Sequence, residues 1–458
     1  MSAAAGIFAA TDSTGAPRGH FVPHGATEKD AQCQAALKAH KKDSRPRHIF
    51  SDIMDRMHAA DYEQVCAIEG QWFGKFNVLK QQFKDGMDKA AFLEKRADME
   101  HRFLEQLHEE LSQMEFQLRC FCNVHEQQCP ITPRLEQEYS GEYWCEVAGS
   151  PCQSYSRMNK SLDGKWLVPQ TKVLLCWAYS TRFYEPDSIF HECVTGLGTE
   201  LLDRVFGAAD SAQAIKAPFT REPGSSASYY IRETCNFSPE DIGLPTARRR
   251  QYSCMHLSPF VQRIQHFDFE TLCFKRRMLD LSCYLVDGQD GSSFSSFSRS
   301  LTAANYARFE GYWLERARLC REGLLSETNH CIASLRQEAT FCKMQYAVMP
   351  TMVRFAMLCD VSIPRCLTAC ELFLIQGFPD CRAVGKGITE ELATSDFPFE
   401  LGFVSNLRET HLTSLLGNSM HRCQIALWLY FHLATTSKRG IAASPVAGDT
   451  IIGRHRPA

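Results

Sequence analysis

Ala148-Gly149-Ser150-Pro151-Cys152-Gln153-Ser154-Tyr155-Ser156 follows an apolar stretch and opens on a glycine-containing turn. A cysteine between Pro and Gln in that setting reads as an exposed thiol on a loop at a strand's end. Its thiolate is a good nucleophile toward an electron-poor ring carbon. A buried structural cysteine is the commoner meaning of one isolated thiol. Around this stretch, residues 140–255 alternate apolar strand-like runs with loops and helical segments. That is the pattern of an α/β sheet.

Further along, Pro186-Asp187-Ser188-Ile189-Phe190 leads into His191-Glu192-Cys193-Val194. An acid at the end of a short apolar strand can sit in a pocket, where desolvation favours its protonated form and lets it donate a proton. A surface or helix-capping glutamate is the commoner case. Gly243-Leu244-Pro245-Thr246-Ala247-Arg248-Arg249-Arg250-Gln251-Tyr252 comes next. On an extended segment, Arg248 and Arg250 point to one side. Two planar guanidinium groups there could hold a base carbonyl and a phosphate, unless the segment is simply a solvated basic edge. Two later segments close the series. One is Arg365-Cys366-Leu367-Thr368-Ala369-Cys370-Glu371 with Gln376-Gly377-Phe378-Pro379-Asp380; the other is Gly417-Asn418-Ser419-Met420. The second is expected to open an apolar helix over 425–433, with Asn418 capping it or binding a ligand.

The 458 residues are enough for about two to four domain-sized units. Hydrophobic residues are 44% and charged residues 22%, an ordinary globular balance. A formal net charge of −3 gives no global basic field, so a nucleic-acid binder must gather its cations on one face. The 21 cysteines are scattered, which suits free thiols in a reducing compartment. No basic n-region opens the chain, and no apolar run reaches the ~18 residues of a membrane span.

Residues 1–45 read as a flexible lead-in. His48-Ile49-Phe50 is a short strand that ends near Asp52. Residues 87–119 predict one long helix, with Ala90, Leu93, Ala97, Leu104, Leu107, Leu111, Met114 and Leu118 along one seam. That seam packs on its own domain or serves a helical protein partner. Cys120, Cys122, His125 and Cys129 follow, a candidate zinc set beside the default of structural cysteines. Residues 256–360 show no clear period but carry basic clusters, at Lys275-Arg276-Arg277 and in residues 316–321. Residues 361–436 return to helical patterning, and residues 437–458 read as a mobile tail.

Taken in order, these motifs resemble the cytosine-5 DNA methyltransferase family. The family's Pro-Cys-Gln loop matches 151–153, and its catalytic Glu follows forty residues later, at Glu192 (192 − 152 = 40). Its Gly-x-Pro-Gln-x-Arg-x-Arg segment, its Arg-x-Leu-Thr…Glu…Gln-Gly-Phe-Pro segment and its Gly-Asn-Ser turn follow in turn. The likeness spans roughly residues 46–436. It implies a Rossmann-like α/β methyltransferase core at 46–255, with a helical insertion at about 58–135. A target-recognition region at 256–360 and a return to the core at 361–436 complete the expected plan.

The resemblance also implies roles. Cys152 would attack carbon 6 of a flipped cytosine, Glu192 would hold ring nitrogen 3, Arg250 would bind the ring carbonyl, and Arg248 would support the loop or a phosphate. S-adenosylmethionine would be held by Asp52, Ile53, Pro151 and Asn418. The family's Phe-x-Gly-x-Gly cofactor loop has no counterpart before Asp52, so the first strands of the usual sheet are expected to be missing. A partial gene product, completion by another segment or subunit, or weak cofactor binding would each account for that. Cys193 replaces the family's Asn, Thr246 its Gln, and Ser150 the first of its two prolines. DNA is the expected substrate and the nucleus the expected place, with the cytoplasm as the alternative. A non-catalytic binding homologue and a tRNA cytosine-5 methyltransferase are the competing functions.

Overall fold

The computed structural model describes residues 22–41, 44–136, 143–150, 155, 165–206, 209–210, 229–258, 261–263, 268–274, 277–285, 294–337, 344–353, 356–378 and 409–438. Of the lead-in expected over 1–45, residues 1–21 lie outside them, as do the tail beyond 438, Pro151, Cys152, and Lys275 with Arg276. The described rest of the lead-in is not flexible but carries a strand at Gly25–Thr27 and a helix at Ala31–Lys38.

Strand β1 (Gly25–Thr27) and strand β2 (His48–Phe50) run parallel, with helix α1 (Ala31–Lys38) between them. Parallel neighbours need such a crossover. Asp30 starts α1 by accepting the amides of Gln32 and Cys33. After β2 the chain makes a short 3-10 turn, Ile53–Arg56, and then a pair of long helices, α2 (Ala59–Lys84) and α3 (Lys89–Gln113). The single helix expected over 87–119 is therefore shorter and has a partner. Its inward stripe is also rotated. Phe92, Phe103, Leu107 and Leu111 are buried, while Ala90, Leu93 and Ala97 face outward. The aromatic rings set the stripe, because they bury the most apolar area. Trp72 Nε1 of α2 donates to Gln106 Oε1 of α3 at 2.8 Å. This apolar face is spent within the chain.

A hairpin follows α3, made of β3 (Arg119–Cys122) and β4 (Gln127–Pro130). Strand β3 pairs with β2 at Phe50 and Cys122. The first sheet thus has the order β1-β2-β3-β4.

The second sheet has five strands. Its members are β5 (Cys145–Gly149), β6 (Ser188–Cys193), β7 (Ala209–Asp210), β8 (Tyr229–Phe237) and β9 (Arg250–Ser258), in the order β5-β6-β9-β8-β7. Strands β5 and β6 are parallel and are joined through helix α4 (Pro169–Tyr184). Strand β9 runs antiparallel to both β6 and β8. All six residues of β6 are buried, as expected for a strand covered on both faces. Helix α5 (Glu200–Phe206) packs beside α4, and Arg182 Nη1 donates to the Val205 carbonyl at 2.9 Å.

Beyond β9 lie β10 (Val261–Arg263) and the short helices α6 (Phe269–Cys273) and α7 (Phe294–Ser300). Helix α8 (Ala303–Arg321) then packs Phe309 and Tyr312 into a small separate core. A three-stranded antiparallel sheet adjoins it: β11 (Ile332–Ser334), β12 (Leu358–Asp360) and β13 (Arg365–Cys366). Helices α9 (Ala369–Ile375), α10 (Glu409–Asn418) and α11 (Arg422–Thr435) follow, and β14 (Thr436–Lys438) pairs with β10. Helix α11 lays Ile425, Trp428, Leu429 and Phe431 against Phe190, Phe237 and Tyr252, so the chain's end covers the five-stranded sheet. The whole is a mixed α/β structure. Among the described residues no helix is long and apolar enough to cross a membrane.

Candidate active site

Because β6 is parallel to β5 and antiparallel to β9, the last residues of β5 and β6 and the first of β9 share one sheet edge. In register, Gly149 stands opposite Glu192, and Glu192 opposite Tyr252, two residues after Arg250. Glu192 is 7% exposed, and its Oε1 lies 3.1 Å from Arg250 Nε. A Cβ built on Gly149 would stand 3.6 Å from Glu192 Oε2 and 2.8 Å from Met420 Cε. Any larger residue there would have to displace Met420.

The residue after Gly149 is tied down from the same strand. Ser150 Oγ shares a 2.8 Å hydrogen bond with His191 Nε2 and donates to Cys193 Sγ at 3.7 Å. The His191 ring is stacked on Trp177 at 4.9 Å. Burial pushes its pKa down to about 4, so it is a neutral imidazole near neutral pH. Five residues on, Tyr155 is buried against Trp166, with ring centroids 5.1 Å apart. A Cβ on Gly196 would collide with the Tyr155 carbonyl oxygen, which is why glycine stands beneath that segment. Ser150 and Tyr155 are thus anchored at the two ends of residues 151–154, which lie outside the described ones.

The two arginines of the 248–250 segment part company. Arg250 faces Glu192, whereas Arg248 is 4% exposed and turns into the protein. Its Nη1 donates to the Met352 carbonyl at 3.1 Å and its Nη2 to the Ser419 carbonyl at 2.6 Å. Its role is to hold the loop before β9, and it has no route to a phosphate. The strand begins only at Arg250, so strict alternation does not extend back to Arg248.

Asp52 and Ile53 belong to the four-stranded sheet's side of the molecule. Asp52 accepts the Met54 amide at 3.1 Å and pairs with Lys29 at 2.7 Å. The Ile53 carbonyl accepts Cys176 Sγ at 3.4 Å. Asn418 ends α10 and does not open α11, whose cap position is His421. Met420 of the same turn is the residue that reaches the site. The preceding motif also ties this turn in place. Glu371 is fully buried, takes two bonds from Arg365 at 2.8 and 2.6 Å, and closes a capping box with Thr368. Gly377 holds φ +77°, and a Cβ there would meet Cys423 Sγ at 2.8 Å and His421 Cε1 at 2.9 Å.

Three of the four zinc candidates converge: Cys122, His125 and Cys129. Cys120 does not join them; its Sγ donates to the Asp55 carbonyl at 3.1 Å, and the fourth member is His48. The basic run in α8 is partly self-neutralised, with Arg318 bonded to Glu315 and Glu322.

Four contributors were given no role by the sequence: His48, His191 as the anchor of Ser150 and Met420, which stand inside quoted segments, and Gly196, which does not.

No family model matches the chain, and no curated protein matches it. Among solved structures it is similar to the Entamoeba histolytica methyltransferase EhMeth, at 17% identity and a TM-score of 0.35, over 63% of this chain and 77% of that one. It is similar to the S. pombe Dnmt2 methyltransferase at 14% identity and a TM-score of 0.33, over 63% and 77%. It is also similar to a putative DNA modification methyltransferase encoded within an E. coli prophage, at 14% identity and a TM-score of 0.34, over 64% and 78%. TM-scores this low do not establish a common fold, so the functional reading rests on the site's own geometry.

Proposed function

We propose that this chain is a cytosine-5 methyltransferase acting on DNA, with Cys152 as its nucleophile. The observation that supports this reading best is the Glu192–Arg250 pair, at 3.1 Å, on the sheet edge where β5 ends at Gly149, three residues before Cys152 in the sequence. A buried carboxyl beside a guanidinium is what an attack on a cytosine ring needs. The Cys152 thiolate adds to carbon 6 and forms a C–S bond. The electron pair of the carbon 5–carbon 6 double bond moves toward ring nitrogen 3, where the Glu192 carboxyl hydrogen-bonds and supplies the proton. Arg250 binds the ring carbonyl oxygen. Carbon 5 is then nucleophilic, and reversal of the addition restores the ring. The base must leave the duplex for any of this, since carbon 6 is covered in the stack.

S-adenosylmethionine, when bound, would supply the methyl group for carbon 5. The residues assigned to it form no cradle among the described ones, because Asp52 is engaged by Lys29 and the Met54 amide. The engagement of Asp52 favours a second reading, in which the chain binds nucleic acid without methylating it. A nuclear place follows from DNA as substrate.

One assay separates these readings without the cofactor. Thiolate addition makes carbon 5 exchange its hydrogen with solvent. The chain should therefore release label from DNA carrying 5-tritiated cytosine, and Cys152→Ala should stop it. Release that survives Cys152→Ala removes the proposed nucleophile; no release from the unaltered chain favours the binding homologue. The same assay with tRNA tests the RNA substrate, at one fixed salt concentration because phosphate binding is salt-sensitive. Calorimetry with S-adenosylmethionine then tests the donor.

A further inference from the structure

The proposed chemistry makes no use of the side chains gathered on the four-stranded sheet: His48 of β2, Cys122 of β3, His125 of the hairpin turn and Cys129 of β4. One ligand atom from each lies within 4.8 Å of all the others. His125 Nδ1 is 3.6 Å from Cys122 Sγ and 3.5 Å from Cys129 Sγ. A neutral imidazole nitrogen has one lone pair or one proton, so it cannot serve two thiols as hydrogen-bond partners. A tetrahedral zinc ion, with Zn–S of about 2.3 Å and Zn–N of about 2.05 Å, would hold sulfur and nitrogen about 3.6 Å apart. The observed spacing is the spacing of a coordination shell.

His48 supplies the independent observation. It is 6% exposed, and its Nε2 lies 2.8 Å from Glu136 Oε1. Its other nitrogen, Nδ1, is buried with no hydrogen-bond partner among the described residues. A carboxylate on one ring nitrogen fixes the tautomer and leaves the other free to ligate, the usual outer-shell arrangement at metal-bound histidines. Cys122 and Cys129 are 0% and 3% exposed, so the set is closed on the protein side.

We infer that His48, Cys122, His125 and Cys129 bind a zinc-class cation as a four-coordinate structural site. Two thiols and two imidazoles complete the tetrahedron, which leaves no open position for substrate. Binding takes the two cysteines as thiolates and releases their protons. The cation ties β2 to a hairpin 74 residues later (122 − 48 = 74), where the two strands share a single residue pair in register. A different buried trio, Cys254, His256 and His432, offers three ligand atoms and no fourth to close a tetrahedron among the described residues.

The full chain, purified without chelator, should carry one zinc per molecule by elemental analysis. Its X-ray absorption edge should give two sulfur and two nitrogen neighbours. Cobalt titrated into the chelator-stripped chain should give the intense visible bands of a tetrahedral dithiolate centre. His48→Gln and Cys129→Ser should each lose the metal, Cys120→Ser should keep it, and Glu136→Gln should weaken binding about 10–100-fold. The absorption measurement is made on the unaltered chain, so a misfolded variant cannot blur the answer. A metal-free chain with an octahedral cobalt spectrum overturns the inference. So does a shell of three sulfurs and one nitrogen, or metal loss in Cys120→Ser, since either would put Cys120 in the place of His48.

Discussion

The four-stranded and the five-stranded sheets gather their polar residues in different ways. At the edge of the five-stranded sheet several side chains meet partners from the protein, while Glu192 Oε1 and Tyr252 Oη are buried without a hydrogen bond among the described residues. Ser150 meets His191, Glu192 meets Arg250, and Arg248 meets two carbonyls. In the four-stranded sheet, four ligand atoms gather within 4.8 Å of one another, and His48 Nδ1 has no hydrogen-bond partner among the described residues. Buried polar atoms are satisfied in stable proteins, because each one left bare costs about 1–3 kcal/mol. The first region is held by an ion pair and by hydrogen bonds within the protein. The second is completed only by a cation.

The sharpest way to break this comparison is at Glu192. Glu192→Gln keeps the shape and removes the acid, so tritium release from cytosine should fall about 10²–10⁴-fold while the melting curve barely moves. A large drop in melting temperature with little loss of exchange would make Glu192 a structural residue. Arg248→Ala should behave in the reverse sense. It strips the Met352 and Ser419 carbonyls of their donor and should cost about 3 kcal/mol in denaturant unfolding. Arg250→Ala should lower exchange and also cost about 1–3 kcal/mol, because Glu192 loses its cation, and an Arg248→Ala that lowered exchange equally would erase the division of labour.

Gly377→Ala places a Cβ at φ +77° against Cys423 and His421 and should cost about 1–3 kcal/mol, read as a lower urea midpoint. Acid should act more gently and more widely. Burial holds His191 and His108 down to about 4, and His421 and His40 to about 3, against 6.5 when unfolded. These histidines bind protons in the unfolded chain before they do so in the folded one. Stability should therefore be level above about pH 6.5 and fall as pH drops toward 4. Unfolding midpoints in that window check the sign, and a rise in stability on acidification would contradict it. The smallest effect belongs to α8, where the exposed Arg318→Ala should stay within about 0.5 kcal/mol.

Several elements were legible from local pattern. The strand at His48–Phe50, the α/β alternation around Cys145–Cys193 and the existence of a helix within 87–119 all showed in periodicity. The site's two described members, Glu192 and Arg250, showed in the order of motifs. The rotated stripe of α3 was not legible, because two neighbours, α2 and α4, decide which face is buried. The same holds for Arg248: its spacing from Arg250 suggested a shared side, but its partners lie 104 and 171 residues away.

By itself, then, the sequence determined which residue types stand at strand ends, and so which groups are available for acid, base and thiol chemistry. Short-range periodicity carries that much, because a strand alternates and a helix repeats without regard to distant residues. Only the tertiary structure decided which of those groups meet. It set Arg250, and not Arg248, against Glu192; it brought Met420 onto Gly149; and it exchanged Cys120 for His48 in the metal set. Each of these choices depends on one strand's register against another or on a turn packed against a distant loop. Contacts between residues far apart in the chain leave no period in it to read.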